Sequence, residues 1–209
     1  MSLNKYKQLR EVGMRLSQEI PKIYSPNLVE ISRILGMTQG KEIVFEDEEE
    51  INFLIDFCLF EHLSEGQNIL ERYRADHPKL KPIDVLYLDM AKASYTSLFK
   101  VIDVNPKEST ITVVDLLNEF DQPLSVINVN LSKTAIRDYV IFSRLLSNEE
   151  LNCFSGMVAV FDEGSDRALL KRYKVMKNRI KSDRESVQRF VACFKLKRAR
   201  GKTVLTRSI

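Results

Sequence analysis

The chain has 209 residues, of which 44% are apolar and 29% charged, and its net charge is +3. That is enough apolar material to fill a core and too little net charge for a disordered chain, and the length fits one domain or one with a small satellite. Three scattered cysteines, Cys58, Cys153 and Cys193, argue against a disulfide framework and for a reducing compartment, so a cytoplasmic location is expected.

Residues 1–20 offer no apolar stretch of the signal-peptide kind, Ser2 breaks the myristoylation pattern, and no C-terminal cysteine suits prenylation. Leu9, Val12, Leu16 and Ile20 recur at helical spacing, which predicts a first helix ended by Pro21. Ser25 as cap, Pro26 at the first helical position and Gly36 after the last apolar residue frame a second helix, with Leu28, Ile31, Ile34 and Leu35 as its stripe. Residues 41–77 continue the helical pattern. Glu46 to Glu50 suits the positive end of a helix dipole, and Ile51, Leu54, Ile55, Cys58 and Leu59 form a face broad enough to be buried on most sides. The apolar run from Ile51 to Phe60 is about half the length of a membrane span. Ser64 and Gln67 have capping-box spacing for another helix with Ile69, Leu70 and Tyr73 inward, closed by Pro78. One more is expected over 83–94, with Leu86, Tyr87 and Met90 inward.

At Tyr95 the pattern turns to alternation. Leu98 to Val104, Thr110 to Leu116, Leu124 to Val129, Tyr139 to Leu146 and Phe154 to Phe161 are strand candidates, with turns at Asn105-Pro106 and Asp121-Gln122-Pro123. Short strands on brief connections suggest a small antiparallel sheet curled into a half-barrel. A helical turn is expected over 132–137, and Gly156 marks a bulge or tight bend in the last strand. The end of the chain is helical again. Ser165 can cap a helix with Leu169, Leu170, Tyr173, Met176 and Ile180 inward. Ser182 and Glu185 open another that contains Val187, Phe190, Val191 and Phe194, with Gly201 as its stop.

The fold class read from this order is α+β: N-terminal helices, a central curled antiparallel sheet of about five strands, and basic C-terminal helices. Four regions follow, taken together as one compact unit. They are helical residues 1–94, a β region over 95–162 packed on them, basic helices over 163–195, and a basic flexible tail over 196–209.

Charge is distributed unevenly. From Gly164 to Ile209 there are 15 Lys and Arg against 3 Asp and Glu, which leaves residues 1–163 at −9 in a chain of +3. Arg167, Lys171, Arg172, Lys174, Lys177, Arg179 and Lys181 occupy the polar side of the apolar stripe of the first C-terminal helix. Arg184, Arg189, Lys195, Lys197, Arg198 and Arg200 extend the run. Such a face can follow a nucleic-acid backbone or an anionic membrane surface, and the candidate contacts are Arg167, Lys171, Lys174, Lys177, Arg179, Lys181, Lys195, Lys197, Arg198 and Arg200. Two other uses compete. The run can dock on residues 42–65, which hold nine carboxylates and no Lys or Arg, or it can be a solvated face.

Residues that carry chemistry are few. Cys58 and His62 share a helical face, as half a zinc site or a thiolate–imidazole pair would, but no second ligand pair follows. His77 before Pro78 reads as a turn residue, and consecutive carboxylates at 46–50 cannot converge on one ion. The seven glycines make no phosphate-binding loop and no nucleophile elbow, and no RNP-type aromatic platform is present. The sequence therefore names no catalytic residue, metal or cofactor. Its leading functional reading is a non-catalytic binding or adaptor protein, with nucleic-acid or anionic-surface association second and an enzyme with a dispersed site near His62 third.

Phe53-Leu54, Glu65-Gly66 and Glu71-Arg72-Tyr73, then Ser97-Leu98-Phe99, Val101 and Asp115-Leu116-Leu117, then Arg144-Leu145-Leu146 and Phe154-Ser155-Gly156 carry a resemblance. Over residues 53–161 the chain resembles a family of uncharacterised bacterial proteins, some of them cyanobacterial. The shared residues have the character of packing and turn positions, and the resemblance implies no activity. Some such proteins carry a cysteine-rich metal-binding tail; here the tail is basic, so that association does not transfer.

Overall fold

Residues 3–64, 66–118 and 122–200 are described by the computed structural model. The four regions read from the sequence sort into two compact units, Ser2–Ser94 and Tyr95–Ile209, divided where the periodicity changes.

In the first unit, α1 (Leu3–Tyr24) buries Tyr6, Leu9, Val12, Leu16 and Ile20. It runs through Pro21 instead of stopping there. Pro21 sits in the last turn, so its missing N–H forfeits one bond, and its carbonyl still accepts from the Ser25 N–H at 3.0 Å. Helix α2 (Leu28–Leu35) is capped by Asn27, whose Oδ1 accepts from the Glu30 N–H at 3.2 Å, and not by Ser25. Gly36 closes it in the left-handed region. The helical reading then fails for a few residues, because β1 (Thr38–Gln39) and β2 (Glu42–Ile43) pair as a small hairpin.

Helix α3 (Glu50–Asp56) is started by Asp47, whose Oδ1 accepts from the N–H groups of Glu49 and Glu50 at 3.1 Å each. It passes into a π-helical turn, Phe57–Glu61, with every residue buried. Ser64 and Gln67 form no capping box. They lie in a second small hairpin, β3 (Leu63–Ser64) with β4 (Gln67–Asn68). The box is made four residues on: Asn68 Oδ1 accepts from the Glu71 N–H at 2.9 Å, and Glu71 Oε2 accepts from the Asn68 N–H at 3.1 Å. Helices α4 (Ile69–Asp76) and α5 (Pro82–Ala93) complete the unit, with Tyr87 and Met90 buried as expected. A Cβ at Gly13 would lie 3.1 Å from the Tyr87 ring, so a glycine in the middle of α1 is what lets α5 approach.

The second unit begins with β5 (Tyr95–Asn105), β6 (Thr110–Asp115) and β7 (Leu124–Ile127). These are followed by α6 (Leu131–Thr134), β8 (Val140–Ser147) and β9 (Asn152–Phe161). The expected half-barrel is a closed barrel of order β5-β6-β7-β9-β8. Its closing pair, β7 with β9, is parallel, with Ile127 opposite Cys153, so the sheet is not wholly antiparallel. A register shift between Val101 and Asp103 bends β5, so its first half pairs with β8 and its second with β6. This order, with a helix between the third and fourth strands, is that of Greek-key barrels of the OB type, a likeness of topology alone.

Phe99, Val101, Ile111, Val113, Val126, Ile141, Leu145 and Phe154 fill the interior, and the rings of Phe99 and Phe154 lie 5.3 Å apart. The bend expected at Gly156 is present. Between the pairs Ser143–Val158 and Leu145–Phe154 strand β9 gains extra residues, and Gly156 takes φ 117°, which a side chain would strain. The Ser143 hydroxyl holds the bulge by donating to the Met157 carbonyl at 2.6 Å.

The unit ends in α7 (Asp166–Lys177) and α8 (Glu185–Arg200). Residues 196–200 therefore belong to a helix and not to a tail, and residues 201–209 of the expected tail lie outside the described residues, as does Asp121 of the expected turn.

Candidate anion-binding face

Helix α7 forms where apolar residues recur at helical spacing, and it buries Leu169 and Tyr173 against its own unit. At 100° per residue, Arg167, Lys171 and Lys174 fall within about 60° of one another, roughly opposite that buried side. All three are exposed, as are Arg172, Arg179 and Lys181. Among the described residues none of these six forms an ion pair. Other cations are neutralised: Arg15 by Asp84 and Glu19, Arg74 by Asp89, and Arg189 by Glu185.

Both ends of α7 are tied down. At its start Lys100 Nζ from β5 lies 3.2 Å from Asp166 Oδ2 and 3.1 Å from Asp138 Oδ1. Hydrogen bonds that Lys100 donates to Asp138 first and Asp166 second hold it above the usual lysine range, while Lys100 holds Asp166 below the usual carboxylate range. At its end Lys177 Nζ lies 2.6 Å from Glu185 Oε1, and that contact lowers Glu185.

A depressed carboxylate stabilises the fold above its unfolded pKa, and that contribution disappears as pH falls through the folded value. Asp166→Asn is therefore expected to lower stability at pH 7 by less than about 1 kcal/mol, since the pair is partly screened. The gap to the parent should narrow as pH falls below the ordinary aspartate pKa of 3.8 toward the lower folded value, so urea midpoints should differ less at pH 3 than at pH 7.

The structure splits the ten candidate contacts. Arg167, Lys171 and Lys174 stand on the open face of α7, Arg179 and Lys181 are exposed just after the helix, and Lys177 is engaged by Glu185. Helix α8 contributes little. Its residues 190–194 are buried on all sides, as an apolar run that covers a whole helix circumference requires. Lys195 is exposed, but Lys197 is 5% exposed, which removes it as a contact, and the Arg198 guanidinium lies 5.1 Å over the Phe194 ring. The Arg200 side chain lies outside the described residues.

One arrangement escapes sequence reading. Buried Asp115, at the end of β6, accepts from the Ser97 hydroxyl, from the N–H groups of Leu117 (2.9 Å) and Asn118 (3.1 Å), and from Asn118 Nδ2 (2.8 Å). Asn118 Oδ1 in turn accepts from Arg189 Nη1 at 3.0 Å. Burial, aided by the Asp115 carboxylate, pushes the Tyr95 hydroxyl up to about 12. The partners are 18 and 71 residues apart in sequence, and no local pattern announces them. With the carboxylate saturated by donors and Ser97 wholly buried, the cluster is built to hold the barrel end together.

In the first unit Cys58 is buried and its thiol is pushed up to about 11, the opposite of an activated thiolate. The His62 N–H closes the π-helical turn by donating to the Phe57 carbonyl at 2.9 Å. His77 ends α4, stacked on Tyr73 at 4.1 Å with Nδ1 2.9 Å from the Tyr73 carbonyl, as a turn residue would be. Among the described residues no three His, Cys, Asp or Glu side chains gather as metal ligands. A surface cleft of about 670 Å³ is lined by Gly66, Gln67, Glu71, Arg74, Ala75, Asp89 and Lys92, and not by His62. No helix among the described residues is long and apolar enough to cross a membrane.

No curated protein and no solved structure matches the chain. A family sequence model does match, over residues 1–207, well beyond the stretch of 53–161 that carried the resemblance. The chain belongs to the family of unknown function DUF7986.

Proposed function

We propose that the protein is a non-catalytic binding protein whose partner is a polyanion held electrostatically on the outer face of α7. The observation that supports this reading is a set of exposed cations, four on α7 (Arg167, Lys171, Arg172 and Lys174) and two just after it (Arg179 and Lys181), without an ion-pair partner among the described residues. Maintaining like charges side by side on one helix is unfavourable by a few tenths of a kcal/mol per pair, and a polyanion removes that repulsion while releasing its own counterions. Binding through α7 asks for no movement of the fold, because the helix is anchored at Lys100–Asp166 and Lys177–Glu185.

Immobilised heparin tests the reading. The full chain should be retained at low ionic strength and released by moderate salt. The triple variant Arg167→Gln, Lys171→Gln, Lys174→Gln should elute at clearly lower salt, with an unchanged far-UV spectrum because the three side chains are exposed. Flow-through of the parent at low salt, or identical elution of parent and variant, would remove α7 as a binding face.

A further inference from the structure

We infer that the polyanion is the backbone of a double-stranded nucleic acid; the inference rests on the reading of α7 given above and names its ligand. Arg167, Lys171 and Lys174 line a straight helix edge of about 10 Å, seven residues at 1.5 Å each. A duplex presents one phosphate per 1.7 Å of its axis, counting both strands, so about six lie within that span on a stiff support. A rigid row of cations matches a rigid row of charges without ordering the ligand first, whereas a flexible single strand has to be straightened.

Single strands offset that cost by stacking bases on exposed rings. Here the aromatic residue of α7, Tyr173, is buried, and burial pushes its hydroxyl up to about 12. Where OB-type barrels bind oligonucleotides, they use the face of the second and third strands. In this protein that face alternates with the buried Ile111, Val113 and Val126 and carries Thr110, Thr112, Val114 and Ser125, with neither ring nor cation. A lipid surface suits α7 no better. An interfacial helix inserts an apolar face, and the apolar side of α7 is already spent on its own unit, with Val175 as its large exposed apolar side chain.

Fluorescence anisotropy with the full chain, at several salt concentrations, tests this with a duplex of about 20 base pairs, either strand alone, and vesicles of phosphatidylserine with phosphatidylcholine. The duplex should bind at least about fivefold more tightly than the single strand at equal salt. Its log–log salt slope should be near −3, the value for about three neutralised phosphates. The variant Arg167→Gln, Lys171→Gln, Lys174→Gln should lose most of that slope. A charge-matched variant in the first unit, Lys22→Gln, Lys41→Gln, Lys92→Gln, should stay within about twofold of the parent, because these three exposed lysines are not part of α7. Single strand or vesicles bound as tightly as duplex would overturn the inference and leave the polyanion reading standing. Heparin retention without duplex binding would do the same. No retention of any anion would sink both.

Discussion

Replacing Phe190 by alanine is expected to destabilise the barrel unit by about 3–5 kcal/mol, the range for truncating a buried aromatic residue. Phe190 has no exposed surface and meets the Phe142 ring edge-on at 5.6 Å, between helix α8 and strand β8. Its neighbours Val191, Ala192, Cys193 and Phe194 are buried as well, so the backbone of α8 cannot shift to fill the gap without disturbing several contacts at once. The loss therefore combines transfer energy with an unfilled cavity. A urea unfolding series would show the midpoint falling with little change in slope. Val175→Ala is the control, since Val175 is 48% exposed on α7 and its truncation should stay within about 0.5 kcal/mol. A Phe190→Ala midpoint as mildly shifted as that control would mean that α8 is not seated on the barrel.

The same helix shows where charge counting misleads. Lys195, Lys197, Arg198 and Arg200 read as a basic run, yet helix phase decides which of them reach solvent. Lys197 lies with the apolar residues, and the Arg198 guanidinium covers Phe194. On α7 the count and the phase agree, because Arg167, Lys171 and Lys174 recur at four- and three-residue intervals opposite Leu169 and Tyr173. The candidate face was legible for that reason. The strands were legible too: alternation of Val, Ile and Phe after Tyr95 marks each of them to within a few residues. Barrel closure was not legible, because the parallel pairing of Ile127 with Cys153 joins segments whose local patterns are indifferent to each other. Helix starts slipped for a smaller reason. Asn caps as well as Ser does, so Asn27 and Asn68 won over Ser25 and Ser64 on backbone geometry that the sequence does not display.

Asp115→Ala should be comparably damaging, at about 3–5 kcal/mol, although it removes few atoms. The Ser97 hydroxyl, two backbone N–H groups and Asn118 Nδ2 all point at this one carboxylate, and in the alanine variant several would stay buried without an acceptor. Asp115→Asn separates charge from shape. Its remaining carbonyl oxygen can keep the Leu117 and Asn118 N–H groups, but its amide NH2 then faces the NH2 of Asn118, donor against donor. Turning the Asn118 amide over relieves that conflict and loses the acceptor for Arg189, now 3.0 Å away. The asparagine variant should therefore cost more than about 1 kcal/mol and less than alanine. It should also lower the Tyr95 hydroxyl from about 12, since burial remains but the carboxylate's repulsion of a phenolate is gone. Ultraviolet titration of tyrosine would read that shift independently of stability. If Asp115→Ala unfolds within about 0.5 kcal/mol of the parent, the donors have found water, and the barrel end is open where its hydrogen bonds now say it is shut.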